Sequence, residues 1–350
     1  MHCYCVNEHG TPLERIEREI PQPQGTEVLI KVQAAGLCHT DLHLWDGYYD
    51  LGGGKRLALA DRGVKPPIIL SHEIAGEVVA VGDQVDDIQL GMQAVVHPWI
   101  GCGECRYCQI DEENLCIKPQ QLGIVKPGGF AEYIIVPHTR YLVDIQGIDP
   151  AEAAPLACAG LSTFSALQKF GQHTATESVV IIGAGGLGLM ALELLKIQNA
   201  KAPIMVDIDA QKLDAAAELG ALHCINSTAP DAVQQIQEFT QGGARLILDL
   251  VGNSSSLNFA LNSAARGAHI VVCGLMGGEV NLSIPTIPMR PLTIQGSYVG
   301  TVQELRALVE LIAQTRMPHI PIQKRSINEV NQAFVDLQQG KVIGRLVLTH

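Results

Sequence analysis

Two hydrophobic rhythms divide the chain. In the first 150 residues, short apolar runs at 27–32, 77–81 and 94–97 are separated by turn residues, with Gly76, Gly82 and Gly91 as punctuation. Runs of this length between glycines and prolines read as strands, so this region is expected to be all-β with irregular loops. From about residue 175 the texture changes. Apolar runs at 179–182, 204–207, 222–225, 246–250, 269–273 and 293–297 alternate with helical patterns at 187–197, 210–219, 231–239 and 256–264. Strands alternating with helices of this length predict βαβ units around a parallel sheet. The tail adds helices at 304–313 and 327–338 and a last strand at 345–349. No repeat or low-complexity linker divides the two textures, so a short helix is the expected junction.

The length, 350 residues, is enough for two domains. Lys plus Arg total 24 against 36 Asp plus Glu, a net charge of -12. That balance argues against a nucleic-acid or anionic-membrane binder but permits a local basic pocket. No apolar stretch approaches the roughly 20 residues that span a bilayer. The N-terminus lacks a charged segment followed by an apolar run, so a cytoplasmic location is expected. In that reducing setting, closely spaced members of the ten cysteines read first as metal ligands.

Candidate chemistry begins at Gly183-Ala184-Gly185-Gly186-Leu187-Gly188, a GxGxxG loop between a strand and a helix. Gly183 permits the tight turn, Gly185 lets the backbone approach a pyrophosphate, and Gly188 permits close helix–strand packing. The helix N-terminus offers unpaired N–H groups to phosphates. Asp207 lies nineteen residues past Gly188, at the end of the next strand. A carboxylate there accepts from ribose hydroxyls and repels the extra phosphate of NADP, so NAD is the expected dinucleotide.

Cys102, Cys105, Cys108 and Cys116 follow a C-x2-C-x2-C-x7-C pattern. Four thiolates in one loop surround a tetrahedral zinc and leave no open position, which describes a structural site. An iron–sulfur cluster is the rival, but its run continues x3-C-P, and this one does not. A second group, Cys38, His39, Thr40, Asp41 and His43, then His72 and Glu73, then Cys158, is dense in polar residues able to do chemistry. No spacing among them proves a site, and a lone buried Cys or His is more often a core residue.

From end to end the chain resembles the zinc-dependent medium-chain alcohol dehydrogenases. The matching stretches are GLCHTDLH at 36–43, SHEIAGEVVAVG at 71–82, GCGECRYC with Cys116, PLACAGLSTF at 155–164 and IGAGGLG at 182–188. The resemblance implies an α/β chain of two domains. Residues 1–157 and 298–350 would form a mainly antiparallel β, GroES-like catalytic domain, and 158–297 a doubly wound Rossmann NAD-binding domain. It implies two zinc ions per subunit: a catalytic one on Cys38, His72 and Cys158, and a structural one on the four-cysteine loop. Thr40 and His43 would relay the substrate proton, Asp41 would orient His72, and Glu73 would lie beneath the metal. His39 and Arg345 would contact pyrophosphate. Thr163, Val251 and Leu275 would join the glycine loop, Gly186 and Leu187 included, around the cofactor. Trp45, Trp99 and Tyr298 would wall the substrate pocket, although each tryptophan is equally readable as packing.

The implied reaction is reversible oxidation of a small uncharged primary or secondary alcohol to an aldehyde or ketone with NAD. Polyol and sugar-alcohol dehydrogenases are the nearest alternative, but they usually carry glutamate where Cys158 stands. A non-catalytic relative would be expected to have lost Cys38, His72 or Thr40. Homo-oligomerisation is implied as well, a tetramer over a dimer, with 280–285 readable as an edge strand or equally as a turn-rich crossover inside one chain. Two features depart from the family pattern. Ser71 stands where glycine is usual, and the 44–71 segment is long, readable as a cap on the cleft or as a solvated loop.

Overall fold

The computed structural model describes residues 1–350. Val179–Ile182 alternates its side chains between two faces, and all four are buried. A strand covered on both faces belongs inside a parallel sheet flanked by helices. The observed order is His223–Asn226, Ile204–Asp207, Val179–Ile182, Ala244–Asp249, Ala264–Val272 and Thr293–Gly296, every neighbouring pair parallel. Numbered along the chain this is the 3-2-1-4-5-6 order of the doubly wound dinucleotide fold. The order reverses between Val179–Ile182 and Ala244–Asp249, where the glycine loop emerges.

The second sheet has seven strands. Val28–Leu37 is its spine, antiparallel to Glu73–Val81, Tyr133–Val136 and the C-terminal Arg345–Thr349. Gln93–Val96 and Leu142–Asp144 extend one side, and Ile322–Ser326 adds parallel to Arg345–Thr349 on the other. The chain therefore returns to its first lobe at its end. Between the sheets runs Ala159–Gln168, with nine of its ten residues buried. A helix apolar on every side has no solvent face. It packs on Gly186–Ile197 and on Val302–Gln314, so one continuous core joins the antiparallel sheet to one face of the parallel sheet. A smaller cluster, including Val180, Ile182 and Ile247, fills the opposite face. No helix is long and apolar enough to cross a membrane.

Three local readings are corrected. The first lobe is not all-β: His39–Asp46 is a helix. Asp41 accepts the Cys38 N–H at 2.9 Å, closing a capping box, and Gly47 ends the helix in the left-handed region at φ 82°. Its functional polar residues hide the amphipathic period, but the cap is a readable signal. Residues 280–285 form no strand. The outer edge of the parallel sheet is Thr293–Gly296, with all four residues exposed. The helix expected to reach 264 stops at Ser263, and the next strand begins at once with Ala264 against Ala244.

A buried carboxylate ties the glycine-loop helix to the returning chain. Glu193 Oε2 accepts Arg316 Nη1 at 2.6 Å and the His319 N–H at 2.9 Å, and Lys196 Nζ lies 2.8 Å from Oε1. Burial raises the Glu193 pKa, but Arg316, Lys196 and the His319 amide outweigh it and hold the group below its ordinary 4.5. A pKa depressed by folding adds stability above that ordinary value and loses it as pH falls through the folded one. Glu193→Gln is expected to cost about 1–2 kcal/mol at neutral pH, because both cations stay partly exposed. The gap between wild type and variant in urea midpoint should close as pH drops from about 6 to about 3. A gap independent of pH would contradict this account.

Candidate active site and metal centres

Strand Val28–Leu37 delivers Cys38 as the N-cap of His39–Asp46. Thr40 and His43, three apart, share a half-buried helix face, while Asp41 and Leu44 are buried. Asp41 Oδ1 also accepts the Ser71 N–H at 3.0 Å and lies 3.5 Å from His72 Nδ1. This fixes the ring so that Nε2 faces away from Asp41, buried and without a hydrogen-bond partner. Cys158 arrives as the N-cap of Ala159–Gln168, where the neighbouring Cys38 and burial push its thiol up. The ligand atoms of Cys38, His72 and Cys158 lie within 4.8 Å of one another, all three residues buried. Two thiols and an orphaned imidazole nitrogen converging in a buried pocket fit a metal ion with one open position.

Ser71 explains the usual glycine at its place. Its φ is 70°, in the left-handed region, and the residue is fully buried. The serine hydroxyl donates to the Gly36 carbonyl at 2.9 Å. Gly36 is required for a different reason: a Cβ there would stand 2.1 Å from Glu73 Oε2. Glu73 thus lies flat on the strand, accepting Ala159 N–H at 3.2 Å and Arg345 Nη2 at 2.5 Å. Burial pushes the Glu73 carboxyl up, and the Arg345 guanidinium opposes that shift. Arg345 also donates to the Leu37 carbonyl and runs against Gly186, where a Cβ would meet its Cδ at 2.5 Å. It is therefore wedged between the metal pocket and the glycine loop.

The four cysteines form a lobe of their own, every Sγ within 4.8 Å of the others. Sulfur–sulfur separations are 3.5, 3.9 and 4.0 Å for the 105–108, 105–116 and 102–108 pairs. Four thiolates about 2.3 Å from a tetrahedral zinc stand about 3.8 Å apart, so the cluster has the right size. Backbone N–H groups of Cys108 and Ile117 pull the Cys105 thiol down to about 6, toward the ligand form.

The other expected residues divide. Asp207 Oδ2 accepts Ala184 N–H at 2.6 Å, which joins the end of its strand to the glycine loop. Gly183 has φ 102° and lies against Val251, and a Cβ on Gly188 would stand 1.9 Å from the Gly183 carbonyl. Leu275 is exposed beside them. His39 is exposed, next to Cys38 in the chain. Thr163 is fully buried, and its hydroxyl donates back to Ala159 and Gly160. Trp99 lies 5.3 Å from the His72 ring and 6.1 Å from Tyr298, centroid to centroid. Trp45 is not brought to this site: its Nε1 donates to the Thr11 carbonyl and its ring packs on Phe334. The packing reading holds for it.

One site residue escaped the sequence. The 44–71 segment folds as a hairpin, Tyr48–Gly52 paired with Lys55–Ala58. Its Tyr49 ring lies 4.6 Å from His43. Its tip crosses to the parallel-sheet lobe, where Gly278 N–H donates to Asp50 and a Cβ on Gly52 would meet Glu279 N at 2.6 Å. The glycines at 52–54 mark a turn in the chain, but nothing local says that the segment pairs as a hairpin or which way it folds.

Residues 24–147 match the alcohol dehydrogenase GroES-like domain family, and residues 186–314 match the zinc-binding dehydrogenase family. The chain is 36% identical to an NAD-dependent alcohol dehydrogenase of Sulfurisphaera tokodaii over 342 residues, 97% of each chain. It belongs to the zinc-binding medium-chain alcohol dehydrogenase family. A solved alcohol dehydrogenase of Aeropyrum pernix superposes with TM-score 0.89 at 29% identity, covering 100% of both chains. The family is not uniform in substrate: a D-arabinose 1-dehydrogenase (NADP(+)) of Saccharolobus solfataricus is 34% identical, over 98% of this chain and 96% of its own. This dehydrogenase is an enzyme, an NAD-dependent oxidoreductase of the alcohol–carbonyl type.

The Ser71 geometry separates two substitutions in this dehydrogenase. Ser71→Gly relieves left-handed strain of about 1–2 kcal/mol but gives up a buried hydrogen bond of about 1 kcal/mol. Its stability should stay within about 1 kcal/mol of wild type. Ser71→Ala keeps the strain and loses the bond, and should fall by about 1–3 kcal/mol. Guanidinium unfolding of the two variants checks the order, and equal losses would contradict it.

Proposed function

We propose that this dehydrogenase oxidises a small uncharged primary or secondary alcohol to an aldehyde or ketone, reversibly, with NAD as acceptor. The observation that carries the reading is the buried Cys38–His72–Cys158 triad with the unpartnered His72 Nε2, lying next to the Trp99 ring. We assign zinc to this triad and to the four-cysteine lobe. Zinc in the triad would supply Lewis acidity, lowering the pKa of an alcohol hydroxyl and polarising a carbonyl. NAD would supply the hydride acceptor.

The protein's own groups do the rest. Asp41 holds His72 in one orientation, which strengthens it as a ligand. Thr40 takes the substrate proton and passes it toward His43. Burial holds the His43 pKa below its ordinary value, against the opposing charges of Cys38 and Asp46, so the ring is neutral near pH 7 and able to accept. Tyr49 packs on that ring and limits its rotation. Gly183 makes the turn with its N–H held by Val206, and Gly188 allows the close packing behind it. Gly185, Gly186 and Leu187 are assigned to the pyrophosphate at the helix N-terminus, and Asp207 accepts from ribose. Arg345 adds positive charge beside the glycine loop, and His39, whose pKa desolvation holds below its ordinary value, is assigned to the pyrophosphate as a neutral hydrogen-bonding group. Thr163, Val251 and Leu275 are assigned to the surroundings of the nicotinamide and ribose. Asp207 also weighs against the extra phosphate of NADP.

Aromatic walls at Trp99 and Tyr298 favour an uncharged substrate over a polyhydroxylated one. The test follows NADH absorbance across primary, secondary, aromatic and polyhydroxylated alcohols, before and after metal removal. Turnover of simple alcohols should disappear with the metal, and turnover that survives complete removal would overturn the reading. A preference for sugars would favour the sugar-alcohol alternative. Trp99→Ala should raise the kcat/KM ratio of bulky over small alcohols by about tenfold or more. Trp45→Phe should leave the ratio within about twofold, in line with the packing of Trp45 outside the pocket.

We propose further that the chain is a homo-oligomer, a tetramer being the expected size. Support comes from Thr293–Gly296, an edge strand exposed along its whole length and able to pair with another chain. Sedimentation should give a multimer that Ile294→Lys weakens, and a monomeric wild type at micromolar concentration would overturn the assignment.

A further inference from the structure

Tyr298 sits in a short segment under backbone strain. Val299, which follows it, has φ 44°, a region that β-branched residues avoid. Such a conformation persists only where the surroundings over-determine it. Here three elements hold it. The Ser297 N–H donates to Val272, continuing the parallel sheet. His97 Nε2 bonds the Gly300 carbonyl at 3.0 Å, and burial lowers the His97 pKa to about 4, so the ring is a neutral donor. The third element is the four-cysteine lobe. Asn114 Nδ2 donates to the Tyr298 carbonyl at 3.1 Å, and Gln121 Nε2 to the Tyr298 hydroxyl at 3.4 Å.

The Asn114 contact serves nothing within the lobe. Its Oδ1 is buried without a partner, so the side chain's hydrogen bonding is directed at Tyr298. The lobe is itself rigidly anchored. Glu113 Oε2 accepts the Tyr141 hydroxyl at 2.6 Å and the Gly101 N–H at 3.2 Å, while Oε1 pairs with Arg140 at 2.9 Å. Gly101 stands two residues after Trp99, so the lobe reaches both rings of the pair, Trp99 beside His72 and Tyr298 beside Trp99.

We propose that the four-cysteine lobe sets substrate size in this dehydrogenase, with Asn114 and Gln121 as positioning residues that aim Tyr298 at Trp99. The inference rests on Trp99 and Tyr298 being pocket walls, and Tyr298→Ala tests that reading separately. All variants are made in a Trp45→Phe background, where Trp99 is the sole tryptophan and its emission reports the position of Tyr298. The measurements are the kcat/KM ratio of a bulky secondary alcohol over ethanol, Trp99 emission, Tm and metal content.

The expected result is that Tyr298→Ala and the Asn114→Ala/Gln121→Leu double variant each change the ratio by about threefold or more and shift the emission. KM for NAD, Tm and two metal ions per chain should be kept. If Tyr298→Ala changes the ratio and the lobe pair does not, the inference is overturned while the wall reading stands. If Tyr298→Ala leaves the ratio unchanged, the wall reading falls and takes the inference with it. Loss of one metal ion or of folding in the lobe pair would mean that these residues serve the lobe alone, which also overturns it.

Discussion

The two oxygens of Asp41 serve three groups drawn from two distant stretches of the chain, Cys38 in one and Ser71 and His72 in the other. One oxygen takes the Cys38 N–H and starts the helix that carries Thr40 and His43. The other takes the Ser71 N–H and faces His72 Nδ1. A fully buried carboxylate is tolerated only when its acceptor capacity is filled. Meeting that demand brings a strand end and a left-handed turn together. Cys38 and His72, two of the three residues able to hold a metal there, are placed as a consequence. A single carboxylate thus couples local helix capping to the assembly of the reactive centre.

A second linkage joins that centre to the dinucleotide lobe. Arg345 comes from the last strand, yet its guanidinium binds Glu73 and its methylenes lie against Gly186. The ion pair is buried, so neither partner can be lost without stranding the other. Any shift of the glycine loop relative to the antiparallel sheet must pass through this side chain. Glu193 and Arg316 repeat the arrangement farther from the cleft, where the connection from Val302–Gln314 returns to the first lobe. The helix Ala159–Gln168, buried in all but its last residue, lies between these two ties, with Cys158 at its start. Metal site, cofactor loop and interlobe core are therefore one mechanical unit.

The aromatic rings grouped around His43 and His72 come from segments that are far apart in sequence. Trp99 precedes the cysteine lobe, Tyr298 follows the edge strand of the parallel sheet, and Tyr49 stands on a hairpin. The hairpin tip touches the 277–279 turn of the opposite lobe through backbone contacts that glycine alone allows at Gly52 and Gly277. The long 44–71 segment is therefore a bridge across the mouth of the cleft and not a solvated loop. Strain at Ser71 and Val299 sits beside the metal pocket and the aromatic wall, where it is held by hydrogen bonds from neighbouring elements.

Much of this molecule was determined by local sequence. The βαβ alternation and the glycine loop specify a doubly wound sheet because hydrophobic period and turn chemistry act over a few residues. The four cysteines specify a closed metal lobe because all their ligands lie within one loop. Other features were decided only by tertiary structure. Trp45 and Trp99 look alike along the chain, but one turns to Phe334 and the other to His72, since packing partners from distant segments choose the direction. Tyr49 acquires its place from a hairpin crossing between lobes, and the free sheet edge falls at Thr293–Gly296 and not at 280–285. The helix His39–Asp46 lies between these cases: its cap was local, but polar residues required by the site masked its period. Spacing reveals chemistry when ligands are neighbours in sequence. Where they converge from separate strands and helices, only the packing of the core sets their distances.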